Sequence, residues 1–495
     1  MVDQKMQGRP DGQPGGPAAG QDGPPPMGPP MPGPLTGPPP DTETGIKKAI
    51  LGLAIPMGIA EITSMILMVG VVALMGHMGD IALYVRSLYL PMMPFFAGIY
   101  LAFEISNQVA AAMSRGKGRP QDVLPIALGF MRVFVVLGAA VFALFLVAAP
   151  LFADIFNVPD DVRDEFVSFL RWMTLAELTH VAVLLWASSL RGYGYAGAGA
   201  VITISSRVVQ FALVALLGLG FGFGPNCVPV AITIGSAVAC VMGIVMMRRK
   251  GLWQSPGSPS TWRRPEVGAN LKMIGIPVAM TQLLMFGCYF GLLWVLGGFG
   301  PDVVSGFSSA TSFQFLILMP GVLLGSATAI VLNHQRGAGL NHAFTKTLNI
   351  GLEVTVIAYV IIASLVFVGA EGFGMVLSPS PNIAGEAGSY LAIVAFSFLI
   401  QGPVLTSLMV MEQTGAGPLA ALLNFLYYLT VVIVSAVAAN IADDASAVYK
   451  TIAFTNLGGI TVIVVSIIVV RRLAAKPAAP MPFPMPPTQA VSETA

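Results

Sequence analysis

Twelve long apolar runs, separated by shorter polar stretches, follow one another along most of the chain. Each run has 20 to 27 residues, and a helix that crosses a bilayer needs roughly 20 mostly apolar residues. The runs cover residues 48–74, 89–112, 124–149, 166–190, 198–220, 226–247, 271–296, 308–332, 344–369, 387–411, 418–440 and 451–470. A transmembrane β-barrel would show short alternating segments instead. The pattern predicts an all-α integral membrane protein with 12 transmembrane helices.

The polar stretches between the runs alternate in charge. One set of stretches holds 17 of the 25 Lys and Arg residues, whereas the other set holds three basic residues and eleven acids. Basic loops stay on the cytoplasmic side of a membrane. The chain is therefore predicted to be a multi-pass protein of the cell membrane (inner or plasma membrane), with both termini in the cytoplasm.

A shift of 221 residues aligns the first half of the chain with the second half. The stretch SRGKG (114–118) then falls on QRGAG (335–339), and LRGYG (190–194) falls on MEQTG (411–415). Six spans thus repeat in the same orientation, as parallel repeats about an axis along the membrane normal. The repeat predicts two pseudo-symmetric six-helix lobes, an architecture that can rock about a central site.

The same repeat gives the predicted domain boundaries. The N-terminal lobe covers residues 45–247, a cytoplasmic linker covers 248–270, and the C-terminal lobe covers 271–472. The two ends of the chain, residues 1–44 and 473–495, are rich in proline and bury little apolar surface. They are therefore predicted to be disordered cytoplasmic tails.

Composition narrows the classes of function. The chain is 55% hydrophobic and only 10% charged, with a mean hydropathy of +0.79 and a net charge of +1. Its three cysteines form no CxxC motif and no Cys/His cluster, so no metal site or disulfide framework is predicted. The motifs HExxH and GxSxG do not occur, which argues against an enzyme. We expect no cofactor, no nucleic-acid partner and a monomer in the lipid bilayer.

Three stretches carry a resemblance to a known family. They are IPMGIAEI with VALMGHMGD (residues 55–80), GIYLAFEISNQVAAAMSRGKG (98–118) and LRGYG (190–194). They resemble the first helix and its Gly-His-x-Gly corner, the second helix, and the Leu-Arg-Gly-x-Gly turn of MATE (multidrug and toxic compound extrusion) transporters in the MOP flippase superfamily. The resemblance covers residues 45–472 and implies two six-helix lobes that form a V. It also implies export of amphipathic, often cationic compounds in exchange for inward H⁺ or Na⁺.

The family's coupling acids are missing from the matching positions of this chain. Val71, Met285 and Gln401 stand where family members carry acids. Ionisable groups inside a bilayer are expensive to bury, so those that remain indicate function. The spans contain eight of them: Glu61, Glu104, Arg132, Arg171, Glu177, His180, Arg207 and Glu353. Seven of the eight lie in the first lobe, which is therefore predicted to be the coupling half.

Five of these residues are predicted to couple export to proton entry: Glu61, Glu104, Glu177, His180 and Arg207. Glu177 and His180 are three residues apart and share one face of a helix. Burial in apolar surroundings suits a carboxyl group to carry a proton. We hypothesise that Arg207 pairs with Glu61 or Glu104, and that binding of a proton or substrate breaks the pair.

The predicted substrate cavity combines methionines with small or neutral polar side chains. Methionine suits a promiscuous pocket because its side chain is flexible and polarisable. The candidates are Met57, Ser64, Met68, Gln108, Gln282, Met285 and Gln401. The predicted function is export of amphipathic, cationic small molecules in exchange for H⁺ by rocking of the two lobes. Three alternatives stay open: a Na⁺-coupled exporter, a flippase for lipid-linked saccharides, and a non-transporting sensor.

Overall fold

Helices account for nearly all of the part of the chain that the structure describes. The computed structural model describes residues 37–254, 265–378 and 380–475, so the predicted disorder of most of both tails lies outside the described residues. The helices of the first lobe are α1 (Glu43–His77), α2 (Asp80–Tyr89), α3 (Met93–Gly116), α4 (Val123–Ile155), α5 (Asp160–Gly192), α6 (Ala196–Val214) and α7 (Cys227–Arg249). Between Gly33 and Ala495 the described residues belong to one compact unit.

The second lobe follows a short helix, α8 (Pro265–Asn270), which lies inside the predicted linker. Its helices are α9 (Ile276–Leu296), α10 (Pro301–Gly337), α11 (Phe344–Leu377), α12 (Pro381–Ala395), α13 (Phe398–Met411), α14 (Gly417–Ala442), α15 (Ala445–Leu457) and α16 (Ile460–Ala474). Single π-helical turns extend α6 (Ala215–Gly220), precede α9 (Leu271–Gly275) and join α13 to α14 (Glu412–Ala416).

Eleven continuous helical stretches among the described residues are long and apolar enough to cross a membrane. One of them, Phe398–Ala442, has 45 residues; it contains predicted span eleven and, together with α12, covers predicted span ten. Gly415, with a φ of 94°, turns the chain between α13 and α14, and glycine adopts this left-handed conformation without steric cost. The stretch therefore crosses twice, and the prediction of 12 transmembrane helices in two lobes is confirmed.

The 221-residue repeat is visible in the helices and in individual contacts. The shift places α4 on residues 344–376, which are α11 without its last residue. Arg115 donates from Nη1 to the Tyr193 carbonyl over 3.0 Å, and the equivalent Arg336 donates from Nη1 to the Thr414 carbonyl, also over 3.0 Å. In both lobes an arginine near the end of one helix thus satisfies a carbonyl group at the end of another.

The two ends of the helix bundle differ in charge and in packing. We call the end with the loops near Arg115, Arg248 and Arg336 the basic end, and the end with the loops near Asp160 and Asp443 the acidic end. In the acidic half, the two large clusters of buried apolar side chains each belong to one lobe. In the basic half, two clusters contain residues of both lobes. The lobes are therefore joined near the basic end.

A pair of glycines gives the closest approach between the lobes. A Cβ atom added to Gly116 would lie 2.7 Å from the Gly337 Cα, and one added to Gly337 would lie 2.8 Å from the Gly116 Cα. The two residues are 221 positions apart, so they are equivalents in the repeat. Helices α3 and α10 pack backbone against backbone here, as small residues permit in membranes.

A proline bends α10 in the middle of its membrane-crossing part. Pro320 cannot donate a backbone hydrogen bond, and the Tyr359 hydroxyl of α11 enters the helix beside it. Tyr359 Oη donates to the Ile317 carbonyl over 3.0 Å and accepts from the Gly321 N–H over 3.1 Å. These two backbone groups would bond to each other in a regular α-helix. The tyrosine hydroxyl therefore bridges these two backbone groups in place of the direct hydrogen bond between them.

Apolar side chains cover the outer surface of the spans. Val147, Val368 and Ile441 are each more than four-fifths exposed. Exposed apolar surface on this scale marks contact with a membrane or another apolar partner. The surface agrees with the prediction that lipid is the solvent for most of the chain.

Candidate functional site

A cavity of about 130 Å³ lies in the acidic half of the first lobe. Helices α1, α2, α3, α5, α6 and α7 all contribute to its wall. The polar part of the wall consists of Arg86, Tyr89, Tyr100, Glu177, His180, Arg207 and Gln210. Much of the rest is apolar and includes Met68, Val71, Met75, Met93 and Met173. The cavity therefore offers both charged groups and flexible apolar side chains to a ligand.

Arg207 is one of the two arginines of this wall, and two polar side chains contact its guanidinium. Its Nη1 donates to Gln210 Oε1 over 3.0 Å, and its Nη2 lies 3.4 Å from His180 Nε2. Since a guanidinium can only donate, this imidazole nitrogen must be unprotonated in order to accept. The Arg207 Nε has no hydrogen-bond partner. Within the described residues Arg207 forms no ion pair with a carboxylate, so its charge is not locally cancelled.

Glu177 and His180 face the same cavity from α5, as their spacing predicts. Glu177 Oε1 accepts a hydrogen bond from Tyr89 Oη over 3.3 Å. Arg207 acts electrostatically on both Glu177 and His180. The structure therefore brings together three of the five predicted coupling residues, Glu177, His180 and Arg207, in one cluster.

The predicted pairing of Arg207 with Glu104 is wrong. Glu104 instead forms an ion pair with Arg191, in which Arg191 Nη2 donates to Glu104 Oε1 and both side chains are about seven-eighths buried. The prediction failed because Arg191 was assigned to a loop and was not considered as a partner of Glu104. In the structure α5 extends to Gly192 and therefore includes Arg191. Glu61 forms no ion pair in the part of the chain that the structure describes, although it interacts electrostatically with Glu104, Arg191 and Arg207.

Gln108 does not lie in the cavity but joins the two lobes. Its Nε2 donates to Ser326 Oγ over 2.9 Å and to Gln413 Oε1 over 3.2 Å, both in the second lobe. Its Oε1 accepts from Arg191 Nε over 3.3 Å. Glu104, Gln108, Arg191, Ser326 and Gln413 thus form one buried polar network, which we call the inter-lobe network. It lies at the basic end, where the lobes meet.

The other predicted cavity residues separate into three groups. Met68 lines the cavity, as does Val71, which stands in place of a family acid. Met57 is buried in an apolar cluster between the lobes, and the Ser64 hydroxyl donates to the Ala60 carbonyl of its own helix over 2.8 Å. The second-lobe candidates are half-buried and do not line the first-lobe cavity: Gln282, Met285 and Gln401.

Two further candidate residues, Arg86 and Glu412, were missed by the sequence analysis. Arg86 was counted as a loop residue, but α2 brings it to the cavity wall. Glu412 lies one residue beyond the predicted end of span ten and is 1% exposed, so the predicted concentration of buried charge in the first lobe is less pronounced than expected. The repeat contained a signal for Glu412, because it follows Arg191 by 221 residues.

Glu353 is less buried than its place in a predicted span implies. Its Oε1 lies 3.7 Å from Lys47 Nζ of the first lobe, and both side chains are about half exposed. Within the described residues no group of three or more His, Cys, Asp or Glu side chains could hold a metal ion. The three cysteines are free.

Comparison with known proteins identifies the family. The MatE family model matches residues 56–216 and 277–437, two segments that are related by the same shift of 221 residues. A probable multidrug resistance protein NorM of Deinococcus radiodurans is 24% identical over 318 residues, which are 61% of this chain and 66% of that protein. The multidrug resistance protein PmpM of Pseudomonas aeruginosa is 24% identical over 186 residues, or 36% of this chain and 37% of that protein. The matched stretches thus span less than two thirds of these relatives.

Solved structures share the fold over nearly their whole length. The Vibrio cholerae MATE transporter VcmN superimposes with a TM-score of 0.82 at 14% identity, over 88% of this chain and 99% of that one. A structure described as the outward-facing conformation of a multidrug resistance MATE family transporter gives a TM-score of 0.80 at 16% identity, over 86% and 96%. With both repeats matched by the family model and the two-lobed fold in place, this chain belongs to the MatE family of membrane transporters.

Proposed function

We propose that this chain is a secondary-active exporter that moves amphipathic small molecules across the membrane in exchange for H⁺, by alternate opening of the two ends of the bundle. Family membership and relatives that are named multidrug resistance proteins support export of small molecules. The methionine-rich cavity wall supports a broad choice of substrate, because flexible apolar side chains repack around different ligands.

The observation that carries the proposal is the unequal joining of the lobes. The apolar clusters and the inter-lobe network that span both lobes lie at the basic end, whereas the cavity lies in the acidic half. The positive-inside rule puts the basic end in the cytoplasm. In this orientation the joined basic end supports the assignment of the structure to an outward-facing state, and the proposed export requires a second state in which the basic end has parted.

The cluster of Glu177, His180 and Arg207 is the proposed coupling site. A proton that binds Glu177 removes its negative charge and thereby its attraction to Arg207. The guanidinium, which in this structure donates to Gln210 and lies beside His180, is then free to bind a different group. H⁺ is favoured over Na⁺ as the driving ion because a guanidinium in the same wall repels a metal cation, whereas a proton becomes part of the carboxyl group.

The charged residues of the cavity wall do not support the expected positive charge of the substrates. Two guanidinium groups, those of Arg86 and Arg207, line the cavity beside one carboxylate, that of Glu177. The proposed substrates are therefore defined by their amphipathic character alone, and the assay below compares dyes of both charges.

The test is efflux of fluorescent amphipathic dyes, one cationic and one anionic, from proteoliposomes under an imposed pH gradient and then a Na⁺ gradient. We expect efflux that follows the pH gradient in the wild type, falls at least tenfold in Glu177→Gln, and loses its pH dependence in Arg207→Ala. The matched control is Glu371→Gln, because Glu371 is an exposed acid near the acidic end. Efflux driven by Na⁺ alone, or the same pH profile in Arg207→Ala as in the wild type, would contradict H⁺ coupling at this site.

A further inference from the structure

Glu412 is a buried acid in the second lobe that the coupling cluster leaves unexplained. It is the first residue of the π-helical turn between α13 and α14, and it is 1% exposed. Its Oε1 accepts a hydrogen bond from Thr281 Oγ1 of α9 over 3.1 Å. Its Oε2 is fully buried and has no partner. One hydroxyl is thus the whole polar environment of this carboxyl group among the described residues.

Among the described residues, no cation forms an ion pair with Glu412. The ionisable side chains on the elements packed around its turn are Tyr100, Glu104, Arg115, Lys272, Cys288, Tyr289, Asp302, His334, Arg336, Tyr427 and Tyr428. None of the basic residues among them lies within ion-pair distance of Glu412 in the part of the chain that the structure describes.

Four of these side chains are held by other partners. Arg115 and Arg336 donate to the carbonyls of Tyr193 and Thr414. His334 Nε2 lies 2.7 Å from the Gly192 carbonyl, and Glu104 is held by Arg191. Lys272 is exposed. Tyr428 interacts electrostatically with Glu412, but its phenol carries no charge that could neutralise the carboxylate.

An ionised carboxylate in such a place is strongly unfavourable, since an unpaired charge loses its hydration without compensation. A bound proton removes the charge and leaves the bond from Thr281 intact, because the carbonyl oxygen of a neutral carboxyl group also accepts. The geometry therefore favours the protonated form of Glu412 while this end of the protein is closed.

The position of Glu412 links its proton to the closure of the basic end. Its neighbour Gln413 is bonded to Gln108 and Ser326 in the inter-lobe network. The backbone carbonyl of Gln413 accepts from Asn333 Nδ2 over 3.0 Å. Parting of the lobes breaks the bonds to Gln108, exposes this turn to water and allows the carboxyl group to ionise.

Polar groups continue from Glu412 into the acidic half. Asn424 Nδ2 donates to Thr281 Oγ1 over 3.3 Å, and Tyr428 follows one helical turn further along α14. The equivalent position in the first lobe has no such role, because Arg191 is fixed there to Glu104. The two lobes thus place a permanent cation and an ionisable acid at the same point of the repeat.

We propose that Glu412 is a second proton-binding site, in the second lobe, which holds a proton while the basic end is closed and releases it to water on that side when the lobes part. This inference rests on the proposed H⁺-coupled export and assigns it a carboxyl group outside the first-lobe cavity. The proton enters as a bond to a carboxylate oxygen and leaves to water, so no other reactant is needed.

The first test is infrared spectroscopy of the full chain in lipid, without substrate. We expect the C=O stretching band of a protonated carboxyl group to be present at neutral pH, to be lost in Glu412→Gln, and to persist in the control Glu371→Gln. Thr281→Val should shift this band, because it removes the single hydrogen bond to the group. A Glu412→Gln spectrum identical to that of the wild type in the carboxyl region would overturn the proposal, whether or not the protein transports any chosen dye.

The second test measures H⁺ and dye flux together in proteoliposomes that contain a pH indicator. We expect the number of H⁺ moved per dye molecule to fall by one in Glu412→Gln, while dye exchange without a gradient continues. Glu412→Asp, which keeps an ionisable group, should retain the wild-type ratio and also covers the case in which the Gln variant fails to fold. An unchanged ratio in Glu412→Gln would overturn this inference alone, whereas dye flux without H⁺ flux in the wild type would overturn the proposed function.

Discussion

Gly116 and Gly337 occupy equivalent positions in the two repeats and touch each other across the lobe interface. A methyl group on either one would lie within 2.8 Å of the other residue's Cα atom, which is closer than carbon atoms can pack. The lobes therefore meet at backbone rather than at side chains, and the closed state of the basic end depends on the absence of two side chains.

Gly116→Ala should weaken the closed state. The added methyl group forces α3 and α10 apart, and overpacking of this kind costs about 1–3 kcal/mol. The measurement is cross-linking between cysteines placed at Lys47 and Glu353, which lie on opposite lobes, in a chain whose three native cysteines are replaced. Gly197→Ala is the control, because no atom lies within 4 Å of its added Cβ. Equal cross-linking in both variants would contradict the close packing.

Removal of Arg191 should destabilise the protein more than removal of its partner's charge. Arg191→Gln leaves Glu104 buried without a cation, which costs about 3–5 kcal/mol. Glu104→Gln has a smaller penalty, because the guanidinium that it leaves unpaired still donates to Gln108. The readout is thermal unfolding in detergent. The double variant should recover part of the loss. If the double variant is no better than the sum of the two single variants, the two residues do not act as a pair.

Gln108→Leu should shift the protein towards opening of the basic end. The variant loses two inter-lobe hydrogen bonds, each with a net value of about 0.5–1.5 kcal/mol, and leaves Gln413 with fewer partners. The same cross-linking assay between positions 47 and 353 reports the shift. Ser189→Ala is the control, because its hydroxyl bonds within the first lobe. A closed fraction equal to that of the wild type would mean that the apolar clusters alone hold the lobes together.

Tyr359→Phe should lower stability and change the bend in α10. Without the hydroxyl, the Gly321 N–H and the Ile317 carbonyl lose their shared partner, and an unsatisfied buried polar group costs about 1–3 kcal/mol. Thermal unfolding and hydrogen exchange at Gly321 measure the effect. Tyr84→Phe, at an exposed tyrosine of α2, is the control. Unchanged protection of Gly321 would show that the helix straightens and closes its own ladder.

Asp444 should make the start of α15 sensitive to acid. The side chain and backbone N–H of Ser446 donate to its carboxylate and hold the pKa of Asp444 below its usual range. Because the folded form has the lower pKa, this cap stabilises the helix above the pKa of the unfolded chain and is lost as pH falls through the lower, folded value. After correction for the intrinsic pH dependence of amide exchange, the protection of the first turn of α15 should therefore fall at low pH in the wild type and stay constant in Asp444→Asn.

The membrane-spanning helices could be predicted from the sequence, because the length and apolarity of a run determine whether it forms such a helix. Each predicted span corresponds to a helix or to two helices in series, and the family model marks the same 221-residue repeat. The clustering of Glu177 and His180 followed from their spacing on α5. What failed was any inference that needed the position of one helix against another. Gln108 reaches the second lobe, and Arg191 reaches Glu104, through packing that no local pattern specifies.

Glu412 was missed in the sequence analysis for a different reason. The predicted span ten ended at Met411, so the buried acid that follows it directly was assigned to the loop. The comparison of Arg191 with Glu412 in the repeat was visible in the sequence. Its meaning depended on burial and on Oε2 being without a partner, which only three-dimensional packing could provide.

The equivalent bonds of Arg115 to Tyr193 and of Arg336 to Thr414 have a consequence for the origin of the molecule. Contacts that recur at the same positions in both halves, with the same length of 3.0 Å, are what duplication of a six-helix chain would produce. Such a chain, with this bond and with a glycine at the position of Gly116, could pair with a copy of itself about a two-fold axis. Fusion of two copies would let each half change alone, and the difference between Arg191 and Glu412 at equivalent positions is a change of this kind.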